Sequence, residues 1–251
     1  MKEIRERRIV IDITNICHNQ CSNCTRLIGN YPKNKLYSMD LDYFEKAIIS
    51  VKDYPGIIGI LGGEPTLHTE FIQICKIIRR HLPKNKVFLC TAKKIDLDFH
   101  YYHTIIHTFG KIFYDDKDNN SFDHQPILIS SFELDPNIDP ENIIRKCWNT
   151  ETCGACITNR GAWFCEVAGS LSNLLDGPDG LDVIPGWWKL DYSHFRNNMN
   201  WACKNCGLSL DLGYRNPKEE IDDISPGIFE KIKKSSPKIK QKKYKIFEKK
   251  S

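Results

Sequence analysis

At 251 residues the chain is long enough for one large domain, or for one domain and a small appendage. Its 41% hydrophobic and 27% charged content is ordinary for a soluble globular protein, and no run of about 18 apolar residues offers a membrane span. The formal charge of +4 is a local matter: residues 231–250 hold ten lysines and one glutamate, which leaves the rest of the chain at about −5.

The N-terminus has no apolar h-region, so no secretory signal is expected and a cytoplasmic location follows. Eleven cysteines, an odd number, then read as metal or redox chemistry rather than as a disulfide framework.

Residues 9–14 (Ile9-Val10-Ile11-Asp12-Ile13-Thr14) are apolar and β-branched and predict a first buried strand. Cys17, Cys21 and Cys24 follow at C-x3-C-x2-C spacing, in a polar stretch that also holds His18 and Asn23. His18 reads as a loop residue. Gly29 and Pro32 mark the link to Tyr37 as loop. Asp40 is the predicted N-cap of a helix running to about Val51, with Leu41, Phe44, Ile48 and Val51 on one stripe. Residues 57–61 predict a second buried strand, closed by Gly62-Gly63-Glu64-Pro65. Thr69 is the predicted cap of a second helix, with Phe71, Ile74, Cys75 and Ile78 inward. Arg79, Arg80 and His81 suit its negative end. Residues 86–91 predict a third strand. Strands and helices alternating at this spacing predict βαβ units and a parallel sheet.

Past residue 95 the pattern weakens. Residues 105–108, 112–114 and 127–131 are candidate strands, and the polar stretch 115–124 is a candidate loop. Residues 141–147 predict a short helix. There the texture changes to dense cysteine and tryptophan: Cys147, Cys153, Cys156, Cys165, Cys203 and Cys206, with five tryptophans between residues 148 and 201. Such cysteine spacing marks a metal site. The expected division is therefore 1–140, an α/β partial barrel; 141–212, a small module stapled by metal; and 213–251, a basic flexible tail. The tail reads as a solvated segment, or as an anchor for phosphate or nucleic acid. Cys75 and Cys90 read as small buried hydrophobes. Trp187, Trp188 and Trp201 read as packing over the metal module, with a substrate pocket as the alternative.

The loop at Cys17, Cys21 and Cys24 supplies three thiolates from one short turn. A tetrahedral zinc would want a fourth ligand nearby, and an iron–sulfur cluster is normally held by four cysteines. Three suggest a cluster with one iron left open. This arrangement resembles the cluster loop of the radical S-adenosylmethionine (radical SAM) superfamily. Gly62-Gly63-Glu64-Pro65, closing the next strand, is similar to that family's GGEP-type motif.

The resemblance implies a partial (β/α) barrel and a [4Fe–4S] cluster on Cys17, Cys21 and Cys24, with SAM chelated to the open iron. It implies that Gly62, Gly63, Glu64 and Pro65 contact the bound SAM, with the Glu64 carboxylate on its amino group. Where the family has an aromatic residue before the third cysteine this chain has Asn23, which could serve the adenine by hydrogen bonding. Thr91 and Ser130, at the ends of candidate strands, are further candidate SAM contacts. The implied activity is reductive cleavage of SAM to a 5′-deoxyadenosyl radical, which abstracts hydrogen from a substrate. An external electron donor such as flavodoxin or ferredoxin is implied as partner.

The later cysteines resemble the auxiliary-cluster modules, SPASM or the shorter twitch, of one branch of that superfamily. Six cysteines are too few for two further clusters, so one auxiliary [4Fe–4S] cluster is expected. Its expected ligands are Cys153, Cys165, Cys203 and Cys206, with Cys147 and Cys156 in reserve. A structural zinc on the same residues is the alternative. The first predicted strand begins near residue 9, so no N-terminal peptide-recognition domain is expected. The expected substrate is therefore a small molecule, sugar or nucleotide. A peptide-modifying maturase, and a non-catalytic zinc protein with a nucleic-acid-binding tail, are the rival readings.

Overall fold

The computed structural model describes residues 8–93, 99–115, 123–152 and 154–248. Strand β1 (Ile9–Asp12) is buried on both faces, as the apolar run Ile9–Ile11 requires. The chain then passes through the cysteine loop to helix α1 (Leu41–Ser50). Asp40 caps this helix as predicted, its carboxylate accepting from Tyr43 N at 2.8 Å. Strand β2 (Ile58–Leu61), helix α2 (Phe71–His81) and strand β3 (Val87–Thr91) follow, close to their predicted places. Phe71, Ile74, Cys75 and Ile78 are all buried. Thr69 is not the cap of α2: Glu70 holds that position, and His68 Nδ1 accepts from Glu70 N at 3.1 Å instead.

Helix α3 (Phe99–Thr108) and strand β4 (Lys111–Tyr114) complete the first half. Residues 105–108 are thus helical rather than a strand. Ile105 and Phe109 are both buried, four residues apart, which is the spacing of one helix face. Strands β1 to β4 pair in parallel and in sequence order. Helix α1 packs on α2 and α2 on α3, so the three share one face of the sheet. This is single winding, as in a (β/α) barrel.

Residues 127–129 are buried but form no strand. Their carbonyls turn to the C-terminal segments: Ile127 O accepts from Gly207 N and Leu128 O from Ser225 N. Ser130 caps helix α4 (Ser131–Leu134), and short helices α5 (Pro140–Lys146) and α6 (Trp148–Thr152) follow. Strand β5 (Ala155–Thr158) then pairs in parallel with the free side of β1, and β6 (Gly161–Trp163) folds back on it as a hairpin. The sheet order is β4-β3-β2-β1-β5-β6. The cysteine-rich region therefore shares the main sheet and its core, and the boundary expected near residue 140 separates no independent core. Helix α7 (Ala168–Leu175) packs on this hairpin and on α8 (Arg196–Ala202).

The expected flexible tail is a folded strap. Strand β7 (Asp222–Ile224), helices α9 (Pro226–Ile232) and α10 (Pro237–Lys240), and strand β8 (Tyr244–Ile246) follow in turn. β7 and β8 pair in parallel, and Ile224, Ile228 and Ile232 are buried. Counting lysines hid this periodic apolar set. Among the described residues no helix is long and apolar enough to cross a membrane.

Candidate functional site

A cavity of about 180 Å³ opens at the C-terminal edge of the parallel strands. Strands β1 to β4 contribute from their carboxyl ends. The β1 loop gives Cys17, Cys21, Cys24 and Arg26; β2 gives Gly62 and Gly63; β3 gives Thr91 and Ala92; β4 gives Asp115. His124 adds a wall from outside the sheet. Ligands of open parallel sheets bind at this edge.

The three cysteines thus meet on one cavity. Burial, and then the nearness of Cys24, Glu64 and Cys21, push the Cys17 thiol up to about 12, against a hydrogen bond from Asn19 N. A cation would reverse this, since a coordinating thiol is deprotonated by its metal.

The two glycines have a backbone reason as well. A Cβ on Gly62 (φ +145°) would lie 2.3 Å from Thr14 O, and one on Gly63 would lie 2.2 Å from Ile16 O. Gly63 N and Glu64 N donate to these same two carbonyls. The end of β2 is therefore pressed against the chain entering the cysteine loop, which only glycine allows.

Glu64 is fully buried and stands behind the cavity wall. Its Oε1 accepts from Thr66 N, Thr66 Oγ1 and Thr91 Oγ1, and its Oε2 from Ala92 N at 2.8 Å. It braces β2 against β3. Pro65 is the first residue of a buried turn and is not in the cavity wall.

Two sequence-predicted contacts lie elsewhere. Ser130 donates to Lys204 O at 2.8 Å, beside the second cysteine group, because it caps a helix rather than ending a strand. Asn23 is buried against the strap, where its amide is bonded to Asp223. Neither lines the first cavity. Arg26, Asp115 and His124 line it without having been predicted. Asp115, directly after β4, was findable from the strand-end rule. His124 was not, since its place depends on Nδ1 donating to Ser22 O at 2.7 Å across more than a hundred residues.

A second cavity, of about 30 Å³, is lined by Cys147, Cys165, Cys203 and Cys206 within apolar walls of Ile143, Phe164, Leu171 and Leu208. Burial pushes the Cys165 thiol up to about 12, with Cys147 adding to it, and raises Cys203 and Cys206 in the same way. Cys147 therefore joins the set that the sequence reading completed with Cys153, which lies outside the described residues. Cys156 belongs to neither group: it is buried in β5, 3.6 Å from Asp12 Oδ2.

Among the described residues no three His, Cys, Asp or Glu side chains stand, as placed, in an arrangement that could hold a metal ion. Each cysteine group lines a cavity instead of converging on a point.

Between the two cavities lies a buried charge network. Arg26 reaches Asp12 Oδ2 at 3.2 Å and Glu166 Oε2 at 3.0 Å, and Glu166 adjoins Cys165. Burial raises the Asp12 carboxyl, with Arg26 opposing it.

No protein-family model matches the chain, and no curated protein matches it. Solved structures do. BtrN in complex with AdoMet and 2-DOIA aligns at a TM-score of 0.51 and 14% identity, over 79% of this chain and 92% of BtrN. BtrN in an open conformation gives 0.47 at 14%, over 82% and 89%. SuiB of Streptococcus suis bound to the precursor peptide SuiA gives 0.34 at 14%, over 60% of this chain and 32% of SuiB. The first of these alignments establishes that the chain shares the α/β fold of BtrN.

Proposed function

We propose that this chain is a radical SAM enzyme whose first cavity holds a [4Fe–4S] cluster on Cys17, Cys21 and Cys24, with SAM beside it. The observation that carries this is the meeting of those three cysteines with Gly62 and Gly63 on one cavity at the sheet's C-terminal edge. The fold shared with BtrN, which is seen with AdoMet, supports it. When bound and reduced, that cofactor pair supplies a 5′-deoxyadenosyl radical for hydrogen abstraction. The protein's own part is to orient and to keep out water and oxygen. Gly62, Gly63, Thr91, Ala92, Arg26 and His124 line the cavity that would take the ligand.

The second cavity is read as an auxiliary [4Fe–4S] site on Cys147, Cys165, Cys203 and Cys206. Four cysteines complete such a shell. A small-molecule, sugar or nucleotide-type substrate is favoured over a peptide, because BtrN, the neighbour with the shared fold, is seen with 2-DOIA beside AdoMet.

Anaerobic reconstitution tests the reading. It should give about four irons and four sulfides per cluster, two clusters per chain, and reductive SAM cleavage. Replacing Cys17, Cys21 and Cys24 together should abolish cleavage and leave the second centre loaded. Zinc without sulfide in the wild-type chain, or cleavage by the triple variant, would reject it.

A further inference from the structure

The strap ends on the loop that carries the first three cysteines. Ser22 N donates to Pro217 O at 3.0 Å, and Ile221 N to Ser22 Oγ at 2.9 Å. Asn23 N donates to Asp222 Oδ1 at 2.6 Å. The Asn23 side chain exchanges two bonds with Asp223, Nδ2 to Oδ2 and Oδ1 from the backbone N, each at 3.0 Å. Lys238 passes between them with no exposed surface. Its ammonium donates to Cys21 O at 3.0 Å and to Asp222 Oδ1 at 2.8 Å. Asp222 Oδ2 takes Asn30 Nδ2 at 2.6 Å. Gly29 (φ +89°) leaves space for the lysine stem, which a Cβ there would meet at 3.1 Å.

A buried ion pair seldom stabilises a fold more than apolar packing would. This one grips two backbone atoms, Cys21 O and Asn23 N, in the stretch between the second and third cysteines. Asn23 itself has φ +48°, a conformation that asparagine tolerates better than most residues. Its identity is explained by the strap rather than by a bound ligand.

We propose that Lys238, Asp222 and Asn23 are positioning residues for the first cysteine loop. They hold it in one folded shape before iron arrives, and the Lys238 charge favours the reduced state of a centre bound there. Positive charge near a cluster raises its potential. This second half rests on the proposed cluster at Cys17, Cys21 and Cys24.

Hydrogen exchange of the metal-free full chain tests the first half. Asn23→Gly keeps the backbone conformation and removes the side-chain bonds. Amides of residues 18–24 should exchange about tenfold faster in it, as the loss of two bonds of about 0.7 kcal/mol each predicts, while β1–β3 stay protected. Unchanged exchange in the loop overturns the positioning role. The reduction potential of the reconstituted first centre tests the second half. Lys238→Met should move it negative and Asp222→Asn positive. Where Lys238→Met loses protection throughout β1–β3, Asp222→Asn still decides the sign. A potential that stays put or moves the other way overturns the charge role. A wild-type chain that assembles no iron–sulfur centre rejects the cluster itself, and the exchange result still judges the loop.

Discussion

Cys147→Ala is the sharpest test of the second centre, because the three-dimensional arrangement and the spacing of the sequence select different fourth ligands. Cys147 is 7% exposed at the end of α5 and lines the small second cavity with Cys165, Cys203 and Cys206. In the metal-free chain the substitution deletes one buried sulfur. That costs on the order of 1 kcal/mol, or about 2–4 °C of melting temperature at this chain length. In the loaded chain it removes one of the four proposed ligands, and a structural metal site contributes on the order of 10 kcal/mol. Iron should therefore fall from about eight to about four per chain, with sulfide in step. The stability difference should be much larger loaded than metal-free. Iron and sulfide analysis after anaerobic reconstitution, with thermal melts of both forms, reads all of this. Cys153→Ala serves as the comparison and should keep all its iron. Full iron in Cys147→Ala with a loss in Cys153→Ala would refute the assignment.

Gly63→Ala forces a Cβ to within 2.2 Å of Ile16 O, so the loop must shift. SAM binding by calorimetry should weaken at least tenfold and stability fall by about 1–3 kcal/mol; wild-type affinity would count against the close approach of these two segments. Arg26→Met leaves Asp12 buried without its cation and Glu166 with only Arg8 at 3.7 Å, and should cost about 3–5 kcal/mol in urea unfolding of the metal-free chain; a change below about 1 kcal/mol would show the network to be dispensable. Metal-free stability should also fall as pH rises from 9.0 toward about 12, because Cys165 keeps its proton in the folded chain over that window and loses it when unfolded. At about 1.4 kcal/mol per tenfold step this one thiol removes on the order of 4 kcal/mol, and a flat profile in urea titrations would contradict it.

The local signals were readable wherever one segment decided its own structure. Ile9–Ile11 is apolar without interruption, so it had to be a strand covered on both faces. Asp40 caps α1 with its own side chain. Residues 105–108 misled because two adjacent isoleucines look like a strand until Phe109 is counted with them. Residues 127–129 are apolar enough for a strand, yet their carbonyls bond to segments eighty or more residues away.

The cysteine loop and the glycines after β2 were determined by sequence alone, because spacing within one short turn limits what three thiols can do. Which cysteines share the second cavity was decided only by the tertiary structure. Cys156 is as regularly spaced as its neighbours, but β5 pairing with β1 carries it to Asp12 and away from them. The lysine-rich end behaved the same way. Composition sees ten positive charges, whereas the burial of Lys238 depends on its bond to Cys21 O, 217 residues away. Long-range partners leave no mark in a local window, and they are what turn three spaced thiols into a held site.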